Sequence, residues 1–173
     1  TTIKSTSFFL YTGRRASDEG VTSEDAMTTS ETYKGELTQV DTTKLQSRTF
    51  YIGEKGEEIA DYSHNFKLGT TTIKSTSFFY YNDSNRASSA DPESAMTMSE
   101  TYKGELTIPD ATRLQSKTYY VGEKGDEIAN YSQNYKLGTT TIKSTSFFLY
   151  TGRRASDQGV TSEDAMTTSE TYK

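Results

Sequence analysis

Three observations predict an all-β, antiparallel fold for this chain of 173 residues. Apolar residues recur with period two, the chain is built from a tandem repeat of about 69 residues, and 51 of 173 positions are Ser or Thr. Period two places alternate side chains on opposite faces of a strand, and β-branched Thr suits a pleated surface. Only 31% of the residues are apolar, yet 13 Tyr and 8 Phe are too many aromatic residues for an ordinary disordered segment.

The repeat is read by self-comparison. TTIKSTSFF begins at Thr1, Thr71 and Thr140; SETYKGELT begins at Ser30 and Ser99, and its first five residues recur at Ser169–Lys173. Residues 1–34 return as 140–173 with one change, Glu19 to Gln158. Two and a half units result: a half repeat over 1–34, then units 35–103 and 104–173. The alternative phase is 1–70, 71–139 and 140–173. Near-identity at a distance of 139 is what duplication of a two-unit block leaves, and a window from a longer tandem array is the expected context. Since one unit has little to bury, units are expected to pair into sandwich or barrel-like bodies.

Four strands per unit are expected. Ile3–Tyr11 is Thr-rich and then aromatic on both faces, as in a strand covered on both sides at its far end. Tyr33, Gly35 and Leu37 alternate with Lys34, Glu36 and Thr38. Thr49–Ile52 leads into Gly53-Glu54-Lys55-Gly56, where glycine supplies the positive φ of a hairpin turn. The return strand carries Ala60, Tyr62, His64, Phe66 and Leu68 on one face. Thr22–Met27 offers a single capped turn, the one helix signal. Exchanges between units keep size and face: Phe50/Tyr119, Ile52/Val121, Phe66/Tyr135 and Lys44/Arg113. The divergent stretch is Thr12–Asp25 against Asn82–Ser94.

Several function classes lose their basis. The net charge is −5 with signs interspersed, and adjacent basic pairs occur only at Arg14-Arg15 and Arg153-Arg154, so a nucleic-acid partner is not expected. No apolar run approaches the roughly 18 residues of a membrane span. With no Cys there is no disulfide framework, thiolate metal site or cysteine nucleophile.

No catalytic, cofactor-binding or metal site is expected, and the chain is not read as an enzyme. His64, the sole histidine, is replaced by Gln133 at the corresponding position of the next unit and suits a packed strand residue better than a catalyst. No Ser has a G-x-S-x-G context, and Gly13, Gly53 and Gly56 form no phosphate-cradling loop. Asp18, Glu19, Glu24 and Asp25 match no EF-hand spacing, and the second unit offers Asp91 and Glu93 instead, so a solvated acidic loop is expected and calcium stays open. Asn82-Asp83-Ser84 and Asn130-Tyr131-Ser132 fit the glycosylation acceptor pattern, but Thr12 and Asp61 stand at the aligned positions. Arg14-Arg15-Ala16-Ser17 resembles a basophilic kinase site, which an extracellular array would not use.

The expected function is structural: an extracellular or cell-surface fibre or array protein, assembling by strand pairing with copies of itself. The alternative is a multivalent glycan-binding adhesin, with Tyr11, Tyr33, Tyr51 and Tyr62 as sugar platforms; the lack of Trp counts against it.

Overall fold

A computed structural model describes residues 2–82 and 84–173. It is all-β, with 50% strand and 5% helix in one twelve-stranded antiparallel sheet. The strands are β1 (Ser5–Tyr11), β2 (Arg14–Arg15), β3 (Met27–Lys34), β4 (Leu45–Ile52), β5 (Ile59–Phe66), β6 (Ile73–Tyr81), β7 (Met96–Lys103), β8 (Leu114–Val121), β9 (Ile128–Tyr135), β10 (Ile142–Tyr150), β11 (Arg153–Arg154) and β12 (Met166–Tyr172). Ten are long and follow one another in an up-and-down meander; β2 and β11 are two-residue strands on the flanks of β1 and β10.

The expected antiparallel class is found. The strands run on in one open sheet, however, and do not close into separate sandwich or barrel-like bodies. Counted in the phase 1–70, 71–139 and 140–173, which is used from here on, the passage from β5 to β6 joins two units and uses the same pairing as any hairpin within a unit, with Tyr62 opposite Phe78 and His64 opposite Thr76. The accessible surface is 10,362 Å². A compact protein of 19.3 kDa would expose about 8,500 Å². The excess is the cost of an open sheet with two exposed faces.

Two small cores form where loops fold back onto the sheet. The segment 104–113 lies over one face, where Leu106 packs beside Phe78, Tyr102 and Leu114. It is fastened by Thr76, fully buried, whose Oγ1 donates to the Gly104 carbonyl (2.8 Å) and accepts from the Leu106 N–H (3.1 Å). Thr6 does the same for Gly35 and Leu37. This corrects the expected alternation through Leu37: Gly35, at φ +80°, turns the chain out of β3 after Lys34, and Leu37 enters the covering loop. The second core unites Ile59, Tyr81 and Ala87 with Phe79, Ala90 and Met96, closed by a single 3₁₀ turn at Ala87–Ser89.

The 53–58 turn is a hairpin as expected. Its glycine is obligatory, because a Cβ on Gly53 would lie 2.4 Å from the Glu57 carbonyl oxygen. Glu58 does not extend β5; its carboxylate accepts from the N–H groups of Gly56 and Met27 and ties the hairpin to β3. Within Thr22–Met27 the turn spans Thr22–Asp25, where the Asp25 carboxylate accepts from the Thr22 N–H (2.7 Å), and Met27 already begins β3.

Phe78 has no exposed surface, whereas Phe9 is 51% exposed at the flank of the sheet. Phe78→Ala is expected to destabilise the chain by about 3–5 kcal/mol and Phe9→Ala by about 1 kcal/mol or less. Urea unfolding of the two variants measures the difference.

Candidate functional site

Strand register sorts the side chains onto two chemically distinct faces. On one face an aromatic ladder runs across the strands. Phe50 stacks on Tyr62 (centroids 4.5 Å, 18° between planes), Tyr62 meets Phe78 at 5.8 Å, and Phe78 meets Tyr102 edge-on at 5.6 Å. The same order returns in Tyr119, Tyr131, Phe147 and Tyr172. In the phase 1–70, 71–139 and 140–173 each ladder crosses from one unit into the next, so aromatic contact joins units as well as strands.

Set into this face are carboxylates clamped by phenols. Glu100 is 7% exposed; Tyr80 and Tyr102 donate to its Oε2 (2.7 and 2.5 Å), and the Lys117 ammonium holds Oε1. Glu31 is held by Tyr33 and by two Arg48 nitrogens. The SETYK sequence explains the geometry: Glu and Tyr two apart share a face, and the cation comes from the facing position on the next strand, Arg48 or Lys117. Burial drives the Glu100 carboxyl up, but the hydrogen bonds from Lys117, Tyr102 and Tyr80 outweigh it, and the acid lies below its ordinary value. Burial first, and then the hydrogen bond to a carboxylate, raises Tyr33, Tyr80 and Tyr102 well above the usual phenol range.

The opposite face carries a polar row one residue wide. Ser30, Thr49, Ser63, Ser77, Thr101, Ser116, Asn134 and Ser144 stand opposite one another on eight successive strands, β3 to β10. Parallel rows run through Ser7–Thr32–Ser47–Asn65–Ser75 and Ser99–Thr118–Ser132–Ser146–Thr171. The side chains bond to one another across strands, as in Thr49–Ser63 (3.2 Å), Ser77–Thr101 (3.0 Å), Thr118–Ser132 (3.1 Å) and Ser146–Thr171 (2.8 Å). Asn65 reaches both Ser75 and Ser77.

The residues singled out from sequence are scattered over this frame. His64 is 6% exposed, packs edge-on against Phe50 and Tyr62, and its Nε2 lies 3.2 Å from the Leu106 carbonyl oxygen. It thus pins the loop of one unit to a strand of the preceding one. In the next unit Gln133 accepts instead from Tyr119 and Tyr135. Asp18 and Asp25 cap their own turns, and Glu24 pairs with Lys55 as Glu93 pairs with Lys124. Among the described residues, no three His, Asp or Glu side chains converge on a point that could hold a metal ion.

The tyrosines expected as sugar platforms are divided between the two faces. Tyr33 is buried and Tyr62 stacked on the aromatic face, while Tyr51 lies on the other face with its hydroxyl 3.0 Å from the Ser30 Oγ. Asn130 lies in β9 between β8 and β10, with its Oδ1 buried. Asn82, at φ +45°, donates to the Ser94 Oγ (2.7 Å), and Asp83 of that acceptor pattern lies outside the described residues. The clamped glutamates escaped the sequence reading, although the Arg48/Lys117 exchange opposite an unchanged Glu was a usable signal.

No protein-family model, curated protein or solved structure matches this chain. Among the described residues, no helix is long and apolar enough to cross a membrane.

The clamps fix the pH limits of stability. Glu100, lowered in the fold, stabilises above its unperturbed value of 4.5 and ceases to do so as pH falls through the folded value. The raised phenols stabilise fully below 10.0, and that contribution is lost as pH rises through their folded values. Circular dichroism melts should therefore show a plateau between about pH 5 and 9 with losses on both sides. Glu100→Gln should flatten the acid limb.

Proposed function

We propose that this chain is a structural, non-catalytic element of an extracellular fibre or surface array, extended by strand pairing between repeats or chains. The observation that carries the reading is the continuity of the sheet. A unit joins its neighbour through backbone hydrogen bonds, aromatic stacking and hydroxyl contacts of the kind used inside the unit, so addition of units needs no new type of interface. The flanks support the same reading. β1 is paired by β3 along one side and by β2 alone on the other, at Leu10 and Tyr11. Because the Lys4 carbonyl accepts from the Gly35 N–H, the backbone groups of Ser5, Ser7 and Phe9 point away from β3. A row of N–H and C=O groups of this kind templates another strand.

The polar rows favour a second reading, a glycan-binding adhesin, because crosswise hydroxyl and amide groups match the chemistry of sugars. The mutual hydrogen bonds of those groups count against it.

Sedimentation velocity on the 173-residue chain tests the first reading. Association that grows with concentration into elongated species is the expected outcome. Ser7→Pro removes an outward N–H from β1 without touching the β1–β3 ladder and should reduce that association at least about tenfold. A chain that stays folded and monomeric at millimolar concentration would refute the assembly. Saturable binding of the monomer to immobilised oligosaccharides would move the assignment to the adhesin.

A further inference from the structure

The two internal joints between units differ by one charge. In the first, between β5 and β6, Arg86 lies over the Phe78 ring (4.4 Å), donates a hydrogen bond from Nε to Asp61 Oδ1 (2.9 Å) and holds Nη2 in ion-pair contact with the same oxygen (2.7 Å). The side chains are 22% and 14% exposed, so the pair is largely withdrawn from water. In the second joint, between β9 and β10, Arg154 occupies the equivalent place over Phe147 (3.8 Å). The alanine that follows each arginine, Ala87 or Ala155, is buried to the same 5%. Asn130 stands where Asp61 stood, 69 residues on. Asn130 Oδ1 and Arg154 Nε are both buried, and neither has a hydrogen-bond partner among the described residues.

Clefts of similar size border both joints, and the first has in addition a histidine contact between units. The first joint packs Ile59, Tyr81 and Ala87 together beside a cleft of about 430 Å³ that Ile59, Ala60 and Tyr81 line, and it adds His64 against the Leu106 carbonyl. At the second, a cleft of about 490 Å³ lies between Val121, Ile128, Ala155 and Val160. The joints also share the tyrosine bond across them, Tyr81 to the Ala60 carbonyl (2.7 Å) and Tyr150 to the Ala129 carbonyl (2.8 Å).

We infer that the β9–β10 joint is a built-in yield point, which opens before the β5–β6 joint, and that the choice of Asn or Asp at the 61/130 position sets the order. A buried arginine nitrogen with no acceptor loses its hydration and gains nothing in return, and the buried Asn130 amide oxygen loses likewise. Opening this joint returns both groups to water, whereas opening the first breaks a desolvated ion pair. The inference rests on the structural reading above, since an ordered sequence of openings has a use in a load-bearing array: one joint gives while its neighbour holds.

Native-state hydrogen exchange on the folded, monomeric chain separates the two proposals, because it reads the joints whether or not the chain assembles. Amides of β10 that bond to β9 should exchange faster than those of β6 that bond to β5. Asn130→Asp should slow the β9–β10 amides by about tenfold or more, and Asp61→Asn should speed the β5–β6 amides by a similar factor. In an Arg154→Met background the gain from Asn130→Asp should vanish, which distinguishes a new ion pair from a general effect of charge. Equal protection at the two joints, no gain from Asn130→Asp, or a gain that survives Arg154→Met would each overturn the inference.

Discussion

A sheet one layer thick has no second layer to hide against, and this constraint shapes the whole molecule. Ordinary β domains bury one face of each sheet on another element. Here the described residues supply no such element, so each face is covered from within: by long side chains laid across neighbouring strands, and by loops that double back. The aromatic ladder, the phenol-clamped glutamates and the crosswise hydroxyls are three answers to the same demand. Each satisfies side chains laterally, within the plane of the sheet, instead of vertically against a core.

The loops follow from it too. The segments 35–44 and 104–113 fold over the aromatic face at one end, while 84–95 closes the other face near the far end of the strands. Opposed coverage of this kind protects each strand where its apolar content is highest. It also explains why Thr6 and Thr76, otherwise unremarkable members of a Thr-rich run, carry two loop bonds each. The covering loop, through its two bonds to Oγ1, accounts for a polar residue as buried as Thr76 in a chain with so few apolar side chains.

Much of the strand pattern was legible because period two is imposed by the backbone itself. Ile59–Phe66 and the Gly53–Gly56 turn are direct readings of alternation and glycine placement. The 35–38 stretch misled because Leu37 keeps the alternation while Gly35 breaks the conformation; apolar period alone does not distinguish a strand from a loop returning to the same core. Sandwich or barrel closure was expected from an energetic argument about burial, and lateral hydrogen bonding supplies the alternative. Glu31 and Glu100 were hidden because an acidic residue in a polar strand reads as solvent-facing until its neighbours are known. Their environment is a property of register, which joins residues 17 positions apart.

The polar row has one more property. Ser30 in β3 and Ser99 in β7 are equivalent members of successive units, yet the row that starts at Ser30 reaches β7 at Thr101. The line perpendicular to the strands therefore slips by two residues for each unit, about 7 Å of shear for every 19 Å of advance. An eight-residue strand such as Met27–Lys34 accommodates about four such steps before the row runs off its end. Like units are thus stacked obliquely, as treads are on a stair. A straight, rigid partner laid along the row would meet a different side chain in every unit, whereas a partner that follows the slope would meet the same one each time.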